Sequence, residues 1–113
     1  MITIEKLRSY GADVSVGLSR CMGSEALYFK LVKMYVDDPS IKTLGSLLEN
    51  GVYDKAFEEA HKLKGSALNL SLVPLSEPIC TISDSLRVKA QCDYLKVYEE
   101  YINQVEKLRQ LFD

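Results

Sequence analysis

The longest stretches of this chain carry apolar residues at helical spacing, and none alternates apolar and polar residues as a half-buried strand would. Between Tyr53 and Leu70, the residues Ala56, Phe57, Ala60, Leu63, Ala67, Leu68 and Leu70 cover one broad arc at about 100° per residue. From about Asp93 to Phe112, Leu95, Tyr98, Tyr101 or Ile102, Val105, Leu108 and Phe112 form a second stripe. A third starts between Pro74 and Glu77 and runs through Ile79, Ile82 and Leu86 to about Lys89. Asp38-Pro39 reads as N-cap and first position of another helix, with Ile41, Leu44 and Leu48 on one face and Asn50-Gly51 closing it.

Upstream, Thr3 to about Tyr10 forms a short helix ended by Gly11, and Asp13 caps a second short piece through Cys21 that ends near Gly23. Ser24 is the next N-cap, with Glu25 in the first turn and Leu27, Leu31, Met34 and Tyr35 at helical spacing up to Pro39. Short links between long amphipathic helices favour antiparallel neighbours. The expected fold is therefore all-α: an antiparallel up-and-down four-helix bundle with short N-terminal helices. At 113 residues, without repeats, low-complexity tracts or linkers, residues 1–113 are expected to form a single domain.

Charge and residue counts exclude several functions. With 14 Lys and Arg against 16 Asp and Glu, the net charge of −2 speaks against nucleic-acid binding through bulk positive charge. No apolar run approaches the ~20 residues of a membrane span, and MITIEKLRSY lacks the layout of a signal peptide. A soluble, cytoplasmic protein is expected. The 3 cysteines, Cys21, Cys80 and Cys92, are odd in number and far from C-x-x-C spacing. They are expected to be small buried apolar residues, not disulfide partners or zinc ligands. His61 is the only histidine, so no metal site with several imidazoles can form. Acid–base or nucleophilic chemistry near neutral pH would fall to it.

Rotation puts His61 just outside the apolar arc, beside Phe57 and Leu68, with Lys64 and Gly65 one turn further along the same face. The ring base should pack while one nitrogen stays in solvent. Most single helical histidines are incidental, but Gly65 argues against that here. A mid-helix glycine costs about 0.5–1 kcal/mol relative to alanine, and this one opens room over the only imidazole. Lys64 adds a mobile cation that could offset negative charge on a group attached to the ring. Ser66 falls on the opposite side of the helix, so no second catalytic group accompanies the histidine.

The stretch Ala60-His61-Lys62-Leu63-Lys64-Gly65-Ser66-Ala67 resembles the His-x-Leu-Lys-Gly signature of histidine-containing phosphotransfer (HPt) domains. Gly51 to Phe57 resembles the family's approach to the histidine helix, and Asn69 to Leu75 its exit into the next one. Upstream, Gly11-Ala12-Asp13 through Gly17-Leu18 and Met22 through Tyr28 are similar to a variety of HPt domain associated with bacterial two-component signalling. The resemblance covers roughly residues 11–90, and the final helix fits by length and pattern only. Ser71 stands where the family often has glycine, and Val52 where it often has an acidic cap. Pro78 is unexpected so early in its helix and suggests that Ser76 or Glu77 is the cap, with Pro78 in the first turn.

The resemblance implies a phosphorelay intermediate that accepts a phosphoryl group from a receiver-domain aspartate and passes it to another receiver. His61 would be the phosphorylated residue, Lys64 the charge partner of the phosphoryl oxygens, and Gly65 the clearance for the incoming receiver. The implied partners are response-regulator receiver domains, a hybrid sensor histidine kinase, or both, met by a monomer. No cofactor is implied on this chain: Mg²⁺ is expected on the receiver, and no autokinase activity is expected. Receivers should dock over His61 on Phe57, Leu68 and the adjoining helix near Leu75 and Ile79, framed by Lys62 and Lys64. The start at Met1, with a further helix ahead of the motif, points to a free-standing protein. Two alternatives are a helical adaptor with an incidental His61 and a small hydrolase using His61 as general base.

Overall fold

The computed structural model describes residues 1–113 and contains seven helices: α1 (Ile4–Tyr10), α2 (Val14–Arg20), α3 (Glu25–Val36), α4 (Ser40–Glu49), α5 (Tyr53–Asn69), α6 (Val73–Arg87) and α7 (Tyr94–Gln110). There are no strands. α5 packs between α4 and α6, and α7 closes the ring between α6 and α4, which makes an antiparallel four-helix bundle. α3 lies against α7, while α1 and α2 continue the packing at one end. No helix is long and apolar enough to cross a membrane.

Local chemistry sets the helix ends. The side chains of Thr3, Asp13, Ser24 and Asp93 each accept a backbone N–H three residues on, satisfying a donor the first turn leaves unpaired. Asp38 does the same for α4 by accepting the Ser40 N–H at 2.9 Å. Gly11 and Gly51 end α1 and α4 with φ of 115° and 69°, values that disfavour a side chain.

The buried faces differ from expectation in four places. On α3 they belong to Tyr28, Val32, Tyr35 and Val36, not to Leu27, Leu31 and Met34, and Met34 is 59% exposed. Buried tyrosines need partners for their hydroxyls, and these have them. Tyr28 donates to the Leu70 carbonyl at 2.8 Å, and the Tyr35 and Tyr101 hydroxyls meet at 2.6 Å. On α7, Tyr94 faces inward in place of Leu95, and on α5 Leu68 lies outside the core. Cys21 is buried, but Cys80 and Cys92 are only partly so, and all three are free thiols.

α6 also starts earlier than the sequence suggests. It begins at Val73, with the Leu72 carbonyl accepting from Leu75 and Ser76. Neither Ser76 nor Glu77 is the cap, and Pro78 lies inside the helix. Pro74 in the first turn needs no N–H partner, which lets the helix open there. Pro78 then leaves the Pro74 carbonyl without its helical donor.

Candidate functional site

α5 is braced by the core residues Ala56, Ala60, Leu63 and Ala67, which face the bundle and turn His61 outward. The His61 ring stacks on Phe57, one turn earlier, with centroids 5.6 Å apart and planes at 28°. Phe57 is itself packed against the core. One face of the imidazole is thus held by a fixed aromatic ring, and the ring edge is left to solvent.

Gly65 is exposed, and a Cβ placed on it would meet no atom within 4 Å. Its two counterparts inside other helices differ. A Cβ on Gly17 would collide with the Tyr28 ring, and one on Gly45 with the Tyr98 ring. Packing therefore demands glycine at those two positions and does not demand it at Gly65. The space over His61 is open, and the absence of a side chain keeps it so.

Lys64 is not the mobile cation that its position on the helix suggests. Its Nζ donates to Asp84 Oδ1 of α6 at 2.8 Å, and the Lys64 side chain is only 24% exposed. Arg87 Nη2 lies 3.7 Å from the same carboxylate oxygen. The hydrogen bond from Lys64 holds the Asp84 carboxyl below the usual carboxylate range; partial burial opposes it, and the charges of Lys64 and Arg87 reinforce it. Cys80, one turn before Asp84, has its thiol pushed up by burial and pulled down by the Lys64 charge. Asp84 and Arg87 thus join the surroundings of Lys64, one turn from His61, and neither stands out in the sequence.

The remaining site residues divide. Lys62 is exposed and pairs with Glu59 at 3.3 Å, on the same face of α5. Leu68 is 44% exposed and available as an apolar contact. Leu75 and Ile79 are not. Both are 0% exposed, because the stripe of α6 that carries them is the one turned into the bundle. The surface that α6 presents beside His61 is polar, through Asp84 and Arg87. Next to it, Phe57, Tyr53, Leu86, Arg87, Cys92 and Tyr94 help line a groove of about 1070 Å³ at the end where α5 begins and α6 ends.

The family model for the Hpt domain matches residues 37–111. That span holds α4 to α7 in full, including α7, and begins after α3, so the segments of likeness between residues 11 and 36 lie outside it. No curated protein and no solved structure matches the chain.

Proposed function

The chain belongs to the Hpt-domain family, and from that premise we propose that His61 is the residue that carries the phosphoryl group in a phosphorelay. Hpt domains serve histidine phosphotransfer in phosphorelay signalling, as carriers that receive and hand on a phosphoryl group. The observation that carries the assignment is the pairing of the only histidine with an open space that no packing need explains. His61 is exposed, backed by Phe57, and one turn from a glycine whose Cβ would touch nothing.

The step follows from that arrangement. A ring-nitrogen lone pair of His61 attacks the phosphorus of a receiver's aspartyl phosphate. The N–P bond forms as the P–O bond to the aspartyl carboxylate breaks, and the bonding electrons leave with the carboxylate. The positive charge then on the ring is relieved by loss of the proton from the other nitrogen to water. In the reverse direction a carboxylate oxygen of a second receiver attacks the phosphorus, and the N–P bond breaks with its electron pair returning to the ring. The ring regains a proton from water to restore the neutral imidazole. Such transfer depends on in-line positioning and on neutralising the phosphoryl oxygens. Mg²⁺ is assigned to the receiver side of the complex, where it supplies charge neutralisation. Lys64 supplies a cation from this side, Gly65 leaves the approach free, and Phe57, Lys62 and Leu68 form the rim on which a receiver rests.

Incubation with a radiolabelled phosphoreceiver is expected to transfer label to this chain in an acid-labile, base-stable form. The His61→Gln variant is expected to take up none. Label that survives in that variant, or that resists acid as a hydroxyl ester does, overturns the assignment.

A further inference from the structure

The ion pair between Lys64 and Asp84 has a consequence for the phosphorylated state, given the role of His61 proposed above. Lys64 is three residues from His61 on one helix face, and such residues are neighbours. Its ammonium is nevertheless drawn to the next helix, where Asp84 Oδ1 holds it at 2.8 Å. A single ammonium cannot give its full Coulomb attraction to Asp84 and to a dianionic phosphoryl group at the same time. We infer that Asp84 is a positioning residue that competes with the phosphoryl group for Lys64, and so sets how readily His61 gives that group up.

Three features of the structure support this. The pair is partly screened, with side-chain exposures of 24% and 48%, so it is weak enough to exchange. Asp84 keeps a second cation when Lys64 leaves, because Arg87 Nη2 is 3.7 Å away on the same helix face. The carboxylate is thus not stranded without a partner by the swap. Finally, Phe57, on which His61 stacks, lines one groove together with Arg87, so the end of α6 faces the turn of α5 that precedes the imidazole.

The competition lowers the stability of phospho-His61 relative to an aspartyl phosphate. It would suit a carrier, which must release its phosphoryl group as well as accept it. Removing the competitor should leave Lys64 to the phosphoryl oxygens and make the group harder to pass on.

The test is the transfer equilibrium between the protein and one phosphoreceiver, measured from the label on each chain after exchange is complete. Asp84→Asn is expected to shift it toward phospho-His61 by roughly two- to fivefold, the scale of a partly exposed ion pair. Asp84→Glu is expected to restore the parent ratio. The same Asp84→Asn change made in Lys64→Ala is expected to produce no shift, since the shared cation is gone. An unchanged equilibrium in an Asp84→Asn protein of normal melting behaviour overturns the inference. So does a shift that persists undiminished in Lys64→Ala, because Asp84 would then act by direct repulsion or through Arg87. Parent protein that accepts no phosphoryl group from the receiver overturns the role of His61 first. Parent protein that accepts it while Asp84→Asn behaves identically overturns only the role of Asp84.

Discussion

At the scale of single residues, His61 and Gly65 are related through one helical turn, and that makes their roles separable by substitution. Gly65→Gln places a side chain where the structure has open space. Glutamine is a better helix former than an exposed mid-helix glycine by roughly 0.5–1 kcal/mol, so the variant should melt at or above the parent temperature. Phosphoryl transfer to it should fall by more than about tenfold, since the reacting atoms must approach within about 3–3.5 Å. Transfer at the parent rate in a normally folded Gly65→Gln protein would show that the approach does not pass over this residue. Lys64→Ala should act differently, by leaving the nitrogen accessible while removing the cation that can turn to the phosphoryl oxygens, with Arg87 still paired to Asp84. A fall in the equilibrium yield of phosphohistidine of roughly two- to fivefold is expected, with little change in melting. The His61–Gly65 relation was legible because it depends only on helical rotation. The Lys64–Asp84 pair was not, since it spans 20 residues and two helices.

At the scale of elements, the turn between α5 and α6 fixes how the histidine helix meets its neighbour. Ser71 adopts φ 55° there, a left-handed conformation, with its N–H on the Leu68 carbonyl at 3.1 Å. The Leu72 N–H reaches the Ala67 carbonyl at 3.0 Å, so the pattern closes the end of α5 much as a glycine-ended helix closes. A residue with a Cβ is strained in this region, which accounts physically for a glycine elsewhere in the family. Ser71→Gly should therefore stabilise the fold by roughly 0.5–1 kcal/mol, the relief of strain outweighing the greater freedom of the unfolded chain. Thermal melting is expected to rise by a few degrees. An unchanged or lower midpoint would mean that the turn holds serine without strain.

At the scale of the whole molecule, the helices ahead of the family match are tied to the far end of α5. Arg20 Nη1 donates to the Leu68 and Asn69 carbonyls at 2.5 and 3.2 Å, Tyr28 donates to Leu70, and the Asp13 N–H donates to Ser71 at 3.0 Å. Deeper in the bundle, Tyr35 of α3 joins Tyr101 of α7 beneath the Leu63 carbonyl. Burial is the leading cause that pushes these phenols up, Tyr28 to about 12 and Tyr35 and Tyr101 further. In the unfolded chain they ionise near 10. Because the folded values lie above the unfolded one, this contribution to stability is whole below pH ~10 and is lost as pH rises from there toward the folded values. Melting temperatures should hold steady from pH ~8 to ~9.5 and then fall, by up to about 1.4 kcal/mol of stability per pH unit for each buried phenol. Tyr101→Phe should melt with a shallower alkaline fall than the parent. An equal slope would show that Tyr101 ionises as readily folded as unfolded.

What the sequence determined by itself was whatever depends on residues three or four apart. The helix ends follow from Thr3, Asp13, Ser24, Asp93, Gly11 and Gly51, whose side chains or missing side chains act within one turn. The outward His61, the Phe57 beneath it and the gap at Gly65 follow from the same periodicity. Tertiary structure alone decided the inward faces of α3 and of the first turn of α7, because that choice is made by the neighbouring helices and their hydrogen-bond partners. On α3, Tyr28 and Val32 joined the expected Tyr35 inside, with the two phenols received by carbonyl and hydroxyl groups on other helices, while Leu27 and Leu31 sit at the core's edge and Met34 is exposed. The register of α6 against α5 brought Asp84 to Lys64, while Ile79, on the stripe that spacing already showed, turned inward with it and left the docking surface. That register is a property of two helices packed together, and no local spacing encodes it.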